Sequence, residues 1–168
     1  MSYDYPNLSF ESEAMPLTIQ WLNDNGYSIR DLRSTEADFN HKGDLLNERD
    51  GNYLQIKNRR ESYYHMHKRD NLILVPTTDP RVSNGGQSIY NDDSNEYIYV
   101  YFENNKVVKV IILFTQKLKE VISSCKGEIK TSGNGSMTQF KLVNMNDIPK
   151  YVIKRIWTLS SNSLDCFV

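Results

Sequence analysis

The chain has 168 residues and a mass of 19.6 kDa, and 20 basic side chains nearly balance 21 acidic ones, for a net charge of −1. This balance excludes a protein that coats nucleic acid through charge alone, and a mean hydropathy of −0.60 argues against a membrane protein. Two cysteines are too few for a disulfide framework, and no signal peptide precedes the first apolar residues. We therefore expect a single intracellular, cytoplasmic domain over residues 1–168, with no membrane partner.

The first regular pattern predicts a helix over residues 13–25. Small and apolar residues recur there at helical spacing, namely Ala14, Leu17, Thr18, Trp21 and Leu22. Pro16 is tolerated only in a first turn, so we expect the regular helix to begin between Glu13 and Met15. Gly26 follows as a left-handed cap and predicts the end of the helix.

Residues 43–60 predict a β-hairpin. Asp50-Gly51 is a strong signal for a two-residue turn, and with that turn the paired positions sum to 101, which places Asp44 opposite Lys57. Because alternate side chains of a strand share a face, Asp44, Gln55 and Lys57 are expected on one face. A longer turn would shift the pairing by one or two residues, and only an odd shift would change the face.

The remaining elements are predicted from shorter patterns. Strands are expected at 27–32, 71–76, 96–102, 107–114, 128–131 and 139–143, and helices at 61–70, 116–125 and 147–156. A long irregular stretch covers 77–95, and three tyrosines of the strand at 96–102 are expected to pack in the core. The layout predicts an α/β or α+β domain with a mixed central sheet flanked by helices.

The predicted face of the hairpin carries side chains that suit a magnesium ion. Mg²⁺ prefers oxygen ligands, and Asp44, Gln55 and the Ile56 carbonyl supply a carboxylate, an amide and a main-chain oxygen. Lys57 would hold a water molecule and stabilise negative charge that develops on a phosphoryl group. A carboxylate of the first helix would complete the site, and both of its glutamates, Glu11 and Glu13, are candidates.

Residues 57–69 contain five basic residues and one acidic residue. Lysine and arginine neutralise backbone phosphates, so this run predicts a contact with DNA. The candidates for this contact are Arg59, Arg60, Lys68 and Arg69. We expect them to form one basic surface with Lys150, Lys154 and Arg155 of the last helix, and we expect Asp92, Asp93 and Glu96 to lie elsewhere.

The run Asp44…Gln55-Ile56-Lys57, behind a glutamate-bearing helix that ends at Gly26, resembles the PD-(D/E)XK nuclease superfamily over roughly residues 10–76. The family core is a helix, an antiparallel hairpin with the motif, a second helix and a further strand. The resemblance thus implies a restriction-endonuclease-like core in which Asp44 and Gln55 bind the metal and Lys57 is the family's lysine. The sequence departs from the family pattern in having Gly43 rather than proline before the aspartate, and glutamine at position 55 in place of a carboxylate.

The Gln-x-Lys variant is most similar to certain homing and restriction endonucleases. It implies a Mg²⁺-dependent endodeoxyribonuclease, with Mn²⁺ as a possible substitute, that hydrolyses phosphodiester bonds of double-stranded DNA in a sequence-specific way. Because the chain carries one site, cleavage of both strands implies a homo-oligomer, either a dimer or a tetramer. Three alternatives remain open: a structure-specific junction or repair nuclease, a nuclease acting on RNA or nucleotides, and a non-catalytic DNA-binding or protein-interaction module, which the glutamine keeps open.

Overall fold

The structure is a computed structural model that describes residues 5–40, 42–78, 88–131 and 139–159. The helices are α1 (Tyr5–Asp24), α2 (Glu36–Phe39), α3 (Glu61–Asp70) and α4 (Thr115–Ile122). The strands are β1 (Ile29–Asp31), β2 (Leu45–Asn47), β3 (Asn52–Arg59), β4 (Leu72–Thr78), β5 (Glu96–Glu103), β6 (Lys106–Phe114), β7 (Gly127–Thr131), β8 (Gln139–Asn144) and β9 (Ile153–Thr158). Short 3-10 turns cover Ile89–Asn91, Met145–Asp147 and Lys150–Val152.

Six of these strands form a mixed sheet in the order β1-β2-β3-β5-β6-β9. Strands β3 and β5 run parallel, and every other neighbouring pair in this sheet is antiparallel. A second sheet has the order β4-β8-β7 and is entirely antiparallel. The predicted mixed α/β architecture with a sheet flanked by helices is therefore confirmed.

The large sheet separates two hydrophobic cores. Helix α1 covers one face, where Leu22 and Ile98 are fully buried. Helices α3 and α4 and the second sheet cover the other face, which includes Tyr97, Tyr99 and Tyr101, each at most 1% exposed. These tyrosines pack in the core as predicted, and the Tyr99 hydroxyl also donates to the Leu74 carbonyl at 2.7 Å, which joins the two sheets.

Helix α1 begins earlier than predicted and contains Pro16 in its interior. Proline removes one main-chain hydrogen bond, which made a start near residue 13 the simpler expectation. Burial stabilises the longer helix, because Ala14 and Met15 are at most 2% exposed and Phe10 packs edge-on against Phe102 with ring centres 5.8 Å apart. Tertiary packing thus outweighs the local cost of the proline.

The hairpin of β2 and β3 is shifted by two residues from the predicted pairing. Asn47 pairs with Asn52, so the turn spans four residues and the predicted pairing sum of 101 is wrong. The Asn47 side-chain oxygen accepts hydrogen bonds from the main-chain N–H groups of Ser28 (2.9 Å) and Arg49 (3.3 Å), which starts the turn early. Since the shift is even, Gln55 and Lys57 keep the expected face.

Two further strands have partners that the sequence analysis does not specify. The predicted strand 71–76 is present as β4, but it belongs to the second sheet, and β5 is the strand beside β3. The strands predicted at 96–102 and 107–114 pair with each other as β5 and β6, and those predicted at 128–131 and 139–143 pair as β7 and β8, with a loop that lies outside the described residues. Neighbour choice between apolar strands is not visible in their periodicity.

The predicted last helix over 147–156 is wrong. Pro149 starts a 3-10 turn, with the Val152 N–H donating to the Pro149 carbonyl at 3.0 Å, and the chain then continues as β9 alongside β6. Pairing with β9 gives hydrogen-bond partners to main-chain groups of β6 that would otherwise be exposed at the edge of the sheet. Lys154 therefore lies on a strand, where its ammonium donates to Glu96 instead of contributing to a free basic surface.

Glu96 is 1% exposed and also accepts a hydrogen bond from the Tyr27 hydroxyl at 3.0 Å. It joins the loop before β1 to strands β5 and β9. No helix in the described ranges is long and apolar enough to cross a membrane.

Replacing Lys154 by alanine should lower the free energy of unfolding by about 2–4 kcal/mol, because the change leaves a buried carboxylate without its cation. Urea unfolding measures the difference. Lys150→Ala is the control, since Lys150 is exposed, and it should change stability by less than about 0.5 kcal/mol. Equal losses in the two variants would contradict the role assigned to the Lys154–Glu96 pair.

Candidate active site

Asp44 lies just before β2 and contacts β3 through both its main chain and its side chain. Its N–H donates to the Leu54 carbonyl at 2.9 Å. Its Oδ2 atom accepts hydrogen bonds from the Ile56 N–H at 2.9 Å and from Gln55 Nε2 at 3.0 Å. The Asp44 carboxylate thus accepts a main-chain hydrogen bond of β3 that a carbonyl of the neighbouring strand would otherwise accept. These hydrogen bonds hold it next to residues 55–57.

Gly43 permits this close approach. Its φ is +146°, and a Cβ atom at this position would come within 2.7 Å of the Leu54 carbonyl oxygen. Both the backbone conformation and the contact exclude a larger residue without local rearrangement. Gly43 is therefore part of what positions Asp44.

Lys57 lies one step further along β3 on the face that it shares with Gln55. Its neighbour in the parallel ladder is Tyr99, and its ammonium is 5.7 Å from the centre of the Tyr97 ring. Burial and the nearby Arg59 charge lower the pKa of Lys57, and the carboxylates of Asp44 and Asp92 oppose this change. Among the described residues, no hydrogen-bond acceptor or ion-pairing carboxylate contacts its ammonium.

The Asp44 carboxyl group is in an unfavourable place for a negative charge. The pKa of Asp44 is raised from 3.8 to about 6, and burial is the largest cause; the charges of Asp38 and Asp92 contribute to the rise, while the Ile56 N–H and Lys57 oppose it. A cation close to this carboxylate would relieve both the burial cost and the repulsion.

Asp92 is a residue of this neighbourhood that the sequence interpretation did not assign to the site. It follows the 3-10 turn at Ile89–Asn91 and is 9% exposed, and its Oδ1 atom accepts from the Ser94 N–H at 2.9 Å. Burial raises its pKa, whereas Ser94 and then the charge of Lys57 lower it. The signal in the sequence was an Asp-x-Ser turn directly before the strand that pairs with β3.

The two glutamates of α1 differ in position. Glu11 accepts a hydrogen bond from Asn58 Nδ2 at 2.9 Å, and the Thr18 hydroxyl donates to Asn58 Oδ1 at 2.6 Å. Asn58 belongs to the opposite face of β3 from Lys57, yet the Glu11 charge still raises the pKa of Lys57. Glu13 is exposed. The structure thus brings Glu11 closer to the site than Glu13, without a direct contact between Glu11 and Asp44.

Of the predicted DNA-binding cations, Arg59 and Arg60 have described side chains, and these lie on different sides of the large sheet. Arg59 shares the face of Lys57, and its guanidinium carbon is 5.6 Å from the ring centre of Tyr63. Arg60 packs on the ring of Phe10 at 5.4 Å, on the side of α1. The side chains of Lys68 and Arg69 lie outside the described residues, and Lys154 is paired with Glu96.

A separate group of metal-type ligands lies at the surface. His65 Nε2 is 3.4 Å from Glu61 Oε1 and 3.5 Å from Glu103 Oε1, and all three side chains offer ligand atoms within 4.8 Å of one another. Its members are largely exposed, and none of them is a residue of the Asp44 site. An ordinary ion pair accounts for this geometry.

No protein-family model matches the chain, and a search of the curated proteins finds no match. The chemistry proposed for the site therefore follows from the chain's own residues.

Replacing Gly43 by alanine should lower the free energy of unfolding by about 2–4 kcal/mol, because it adds a main-chain clash to an unfavourable φ. Gly26→Ala is a matched control: Gly26 also has a positive φ, +96°, but open space around its Cβ position. It should cost only about 1 kcal/mol. Similar losses in chemical denaturation would contradict the steric role of Gly43.

Replacing Asp44 by asparagine should raise the free energy of unfolding at pH 8 by about 1–3 kcal/mol. The pKa of the folded state, about 6, exceeds the unfolded value, so the wild-type chain loses stability as the pH rises through this window. The difference should vanish below about pH 4, where the carboxyl group is protonated in both states.

Urea unfolding from pH 4 to pH 8 measures this dependence. Asp93→Asn is the control, since the Asp93 side chain is 71% exposed. A stability difference for Asp44→Asn that does not change with pH would contradict the assigned burial of the charge.

Proposed function

We propose that the chain is a PD-(D/E)XK-type nuclease, a Mg²⁺-dependent endodeoxyribonuclease that hydrolyses phosphodiester bonds of double-stranded DNA. The observation that carries the proposal is the contact of Asp44 with Gln55 and with the Ile56 N–H, next to a lysine on the same strand. Sequence-specific cleavage remains our first expectation within this class.

The order of elements supports a restriction-endonuclease-like core. Helix α1 is followed by the antiparallel strands β1, β2 and β3, then by helix α3 on the opposite face, and β5 adds a strand parallel to β3. Strand β4 and the long segment after it are an insertion between α3 and β5. The family core would then extend to about residue 103 rather than ending near residue 76.

The residues present fit a hard divalent cation. Among the described residues, none donates a hydrogen bond to Asp44 Oδ1, which leaves that oxygen for an ion. The N–H and C=O of one strand residue point the same way, so the Ile56 carbonyl lies on the side of Asp44. Gln55 would bind through Oε1 after rotation of its amide. Bound Mg²⁺ would supply a more acidic water and neutralise charge on a phosphoryl oxygen.

Lys57 is assigned to the phosphoryl group. Its lowered pKa makes the ammonium a better proton donor than an exposed lysine, and since no described residue accepts a hydrogen bond from it, it is available to bind an oxygen. In this place it would hold the attacking water and stabilise negative charge as the phosphorus–oxygen bond forms. The negative charge of Asp92 would partly compensate the positive charge of Lys57.

Each chain offers one such site, so cleavage of both strands of a duplex requires two copies. We propose a homo-oligomer, a dimer or a tetramer, with sites related by two-fold symmetry.

One observation favours a second candidate, a non-catalytic DNA-binding module on the same fold. Gln55 donates its amide to Asp44, so the pair satisfies itself without a metal. In that case the lysine and arginine of β3 would bind phosphate without hydrolysing it.

A cleavage assay separates the two candidates. Purified protein is incubated with plasmid, linear duplex and branched DNA in Mg²⁺, Mn²⁺ or EDTA. We expect metal-dependent cutting that Asp44→Asn and Lys57→Met each reduce by at least about 100-fold, the typical loss when a charge-stabilising group is removed. Asp93→Asn and Arg30→Gln serve as exposed controls that should retain full activity.

Cutting that survives both Asp44→Asn and Lys57→Met would contradict the site. DNA binding without cutting of any substrate would favour the non-catalytic module, and cutting confined to branched DNA would identify a structure-specific nuclease.

A further inference from the structure

We propose that β7 is a self-association surface, on which a second copy of the chain pairs its own β7 in antiparallel orientation across a two-fold axis. The proposed function calls for two copies without naming a contact between them, whereas this surface follows from the edge of the second sheet. Pairing centred on Ile129 would join the three-stranded sheets of the two copies into one continuous sheet.

Strand β7 presents a regular edge. In the part of the chain that the structure describes, β8 is the strand that pairs with it, and all the residues of β7 pair without a register shift. The main-chain N–H and C=O groups on the outer side of β7 are thus left to water. Such an edge is a template for another strand.

The other edge strands carry features that hinder pairing of this kind. Strand β1 has three residues, and β4 is irregular at Pro76, which lacks an N–H donor. The pairing of β9 with β6 is irregular between Ile112 and Leu113. Of the four edges that the described strands form, β7 therefore offers the most regular one.

An apolar side chain of β7 lies on the core side of the second sheet and is still 54% exposed, namely Ile129. Its neighbour in the ladder, Lys141, donates to main-chain carbonyls at the end of α4, and Gly127 pairs with the fully buried Val143. The core thus ends at β8, and β7 extends past it with residues 127–130 exposed. A second β7 would place another isoleucine against Ile129 and remove apolar surface of both from water.

The charges of β7 select a second copy as its partner. Glu128 and Lys130 share the other face, where Lys130 Nζ is 2.8 Å from Glu128 Oε1. Antiparallel pairing centred on Ile129 places Glu128 opposite Lys130 of the second copy, and Lys130 opposite Glu128 of that copy. Opposite charges in such positions stabilise a strand pair, whereas parallel pairing in register would oppose like charges. The surface is therefore complementary to itself, as a two-fold interface requires.

We expect this dimer to be weak and reversible. Pairing of two short strands buries less area than a stable dimer ordinarily needs. Its ion pairs are exposed, so salt weakens them. The dimer should thus be populated at high protein concentration and low salt.

Analytical ultracentrifugation of the chain without DNA or metal, at low salt and from about 1 µM to about 1 mM protein, tests the surface. The wild type should form a dimer. Lys130→Glu and Glu128→Lys should each weaken it by at least about tenfold, because each change turns both cross-strand ion pairs into repelling pairs. Lys150→Glu changes the net charge as Lys130→Glu does, but at an exposed position outside β7, and it should leave association unchanged.

A charge exchange separates this surface from a general effect of charge. An equimolar mixture of Lys130→Glu and Glu128→Lys should form a heterodimer as strong as the wild-type dimer, because two glutamates on one strand then face two lysines on the other. The chain that carries both substitutions should associate like the wild type, since the alternation of sign is kept.

A wild type that stays monomeric over this range would overturn the inference, and so would a dimer that Lys130→Glu leaves unchanged. In the second case the two copies meet elsewhere, and the proposed nuclease is unaffected. A dimer that follows the charge exchange would support the surface even if no DNA is cut, in which case only the proposed function fails.

Discussion

The hydrogen bonds from the Ile56 N–H and Gln55 to Asp44 are the interaction on which the site depends. They fasten the segment before β2 to the strand that carries Lys57, and they exist because Gly43 lets the main chain lie against Leu54. Asn47, which ends β2 early through its side-chain hydrogen bonds, fixes the pairing that brings Asp44 opposite Gln55. The Asp44 carboxylate and the Lys57 ammonium consequently lie near each other, on the segment just before β2 and on β3, beyond the Leu45–Leu54 pair.

The charged groups of the site lower the stability of the folded state. Asp44 is half-buried and Asp92 is buried, and both carboxyl groups have raised pKa values; Lys57 and Arg59 are partly buried cations without described counter-ions. The rest of the fold compensates through two apolar cores, through the paired Glu96 and Lys154, and through the tyrosines that join the sheets. Such an unfavourable charge distribution is typical of a site that binds a metal ion and an anion.

Much of the architecture could be predicted from local patterns. The face shared by Gln55 and Lys57 was predicted correctly because alternation survives an even shift of register. The parallel neighbour of β3 was not predicted, since the periodicity of β4 and β5 does not indicate which strand each one pairs with. The last segment became a strand because β6 offers an open edge, and Asp92 was missed because its turn lies at the end of a long irregular stretch. Pairing and burial are properties of the assembled sheet, which is why these features were not visible in the sequence.

The most direct test of the central claim is the effect of Mg²⁺ on thermal unfolding of the wild-type chain and of Asp44→Asn at pH 8. If Asp44 binds the ion, Mg²⁺ should raise the wild-type melting temperature in a saturable way and leave that of the variant unchanged. Calcium and EDTA controls show whether the effect is specific. An equal Mg²⁺ effect on both proteins, or none on the wild type, would contradict the assignment of Asp44 as a metal ligand.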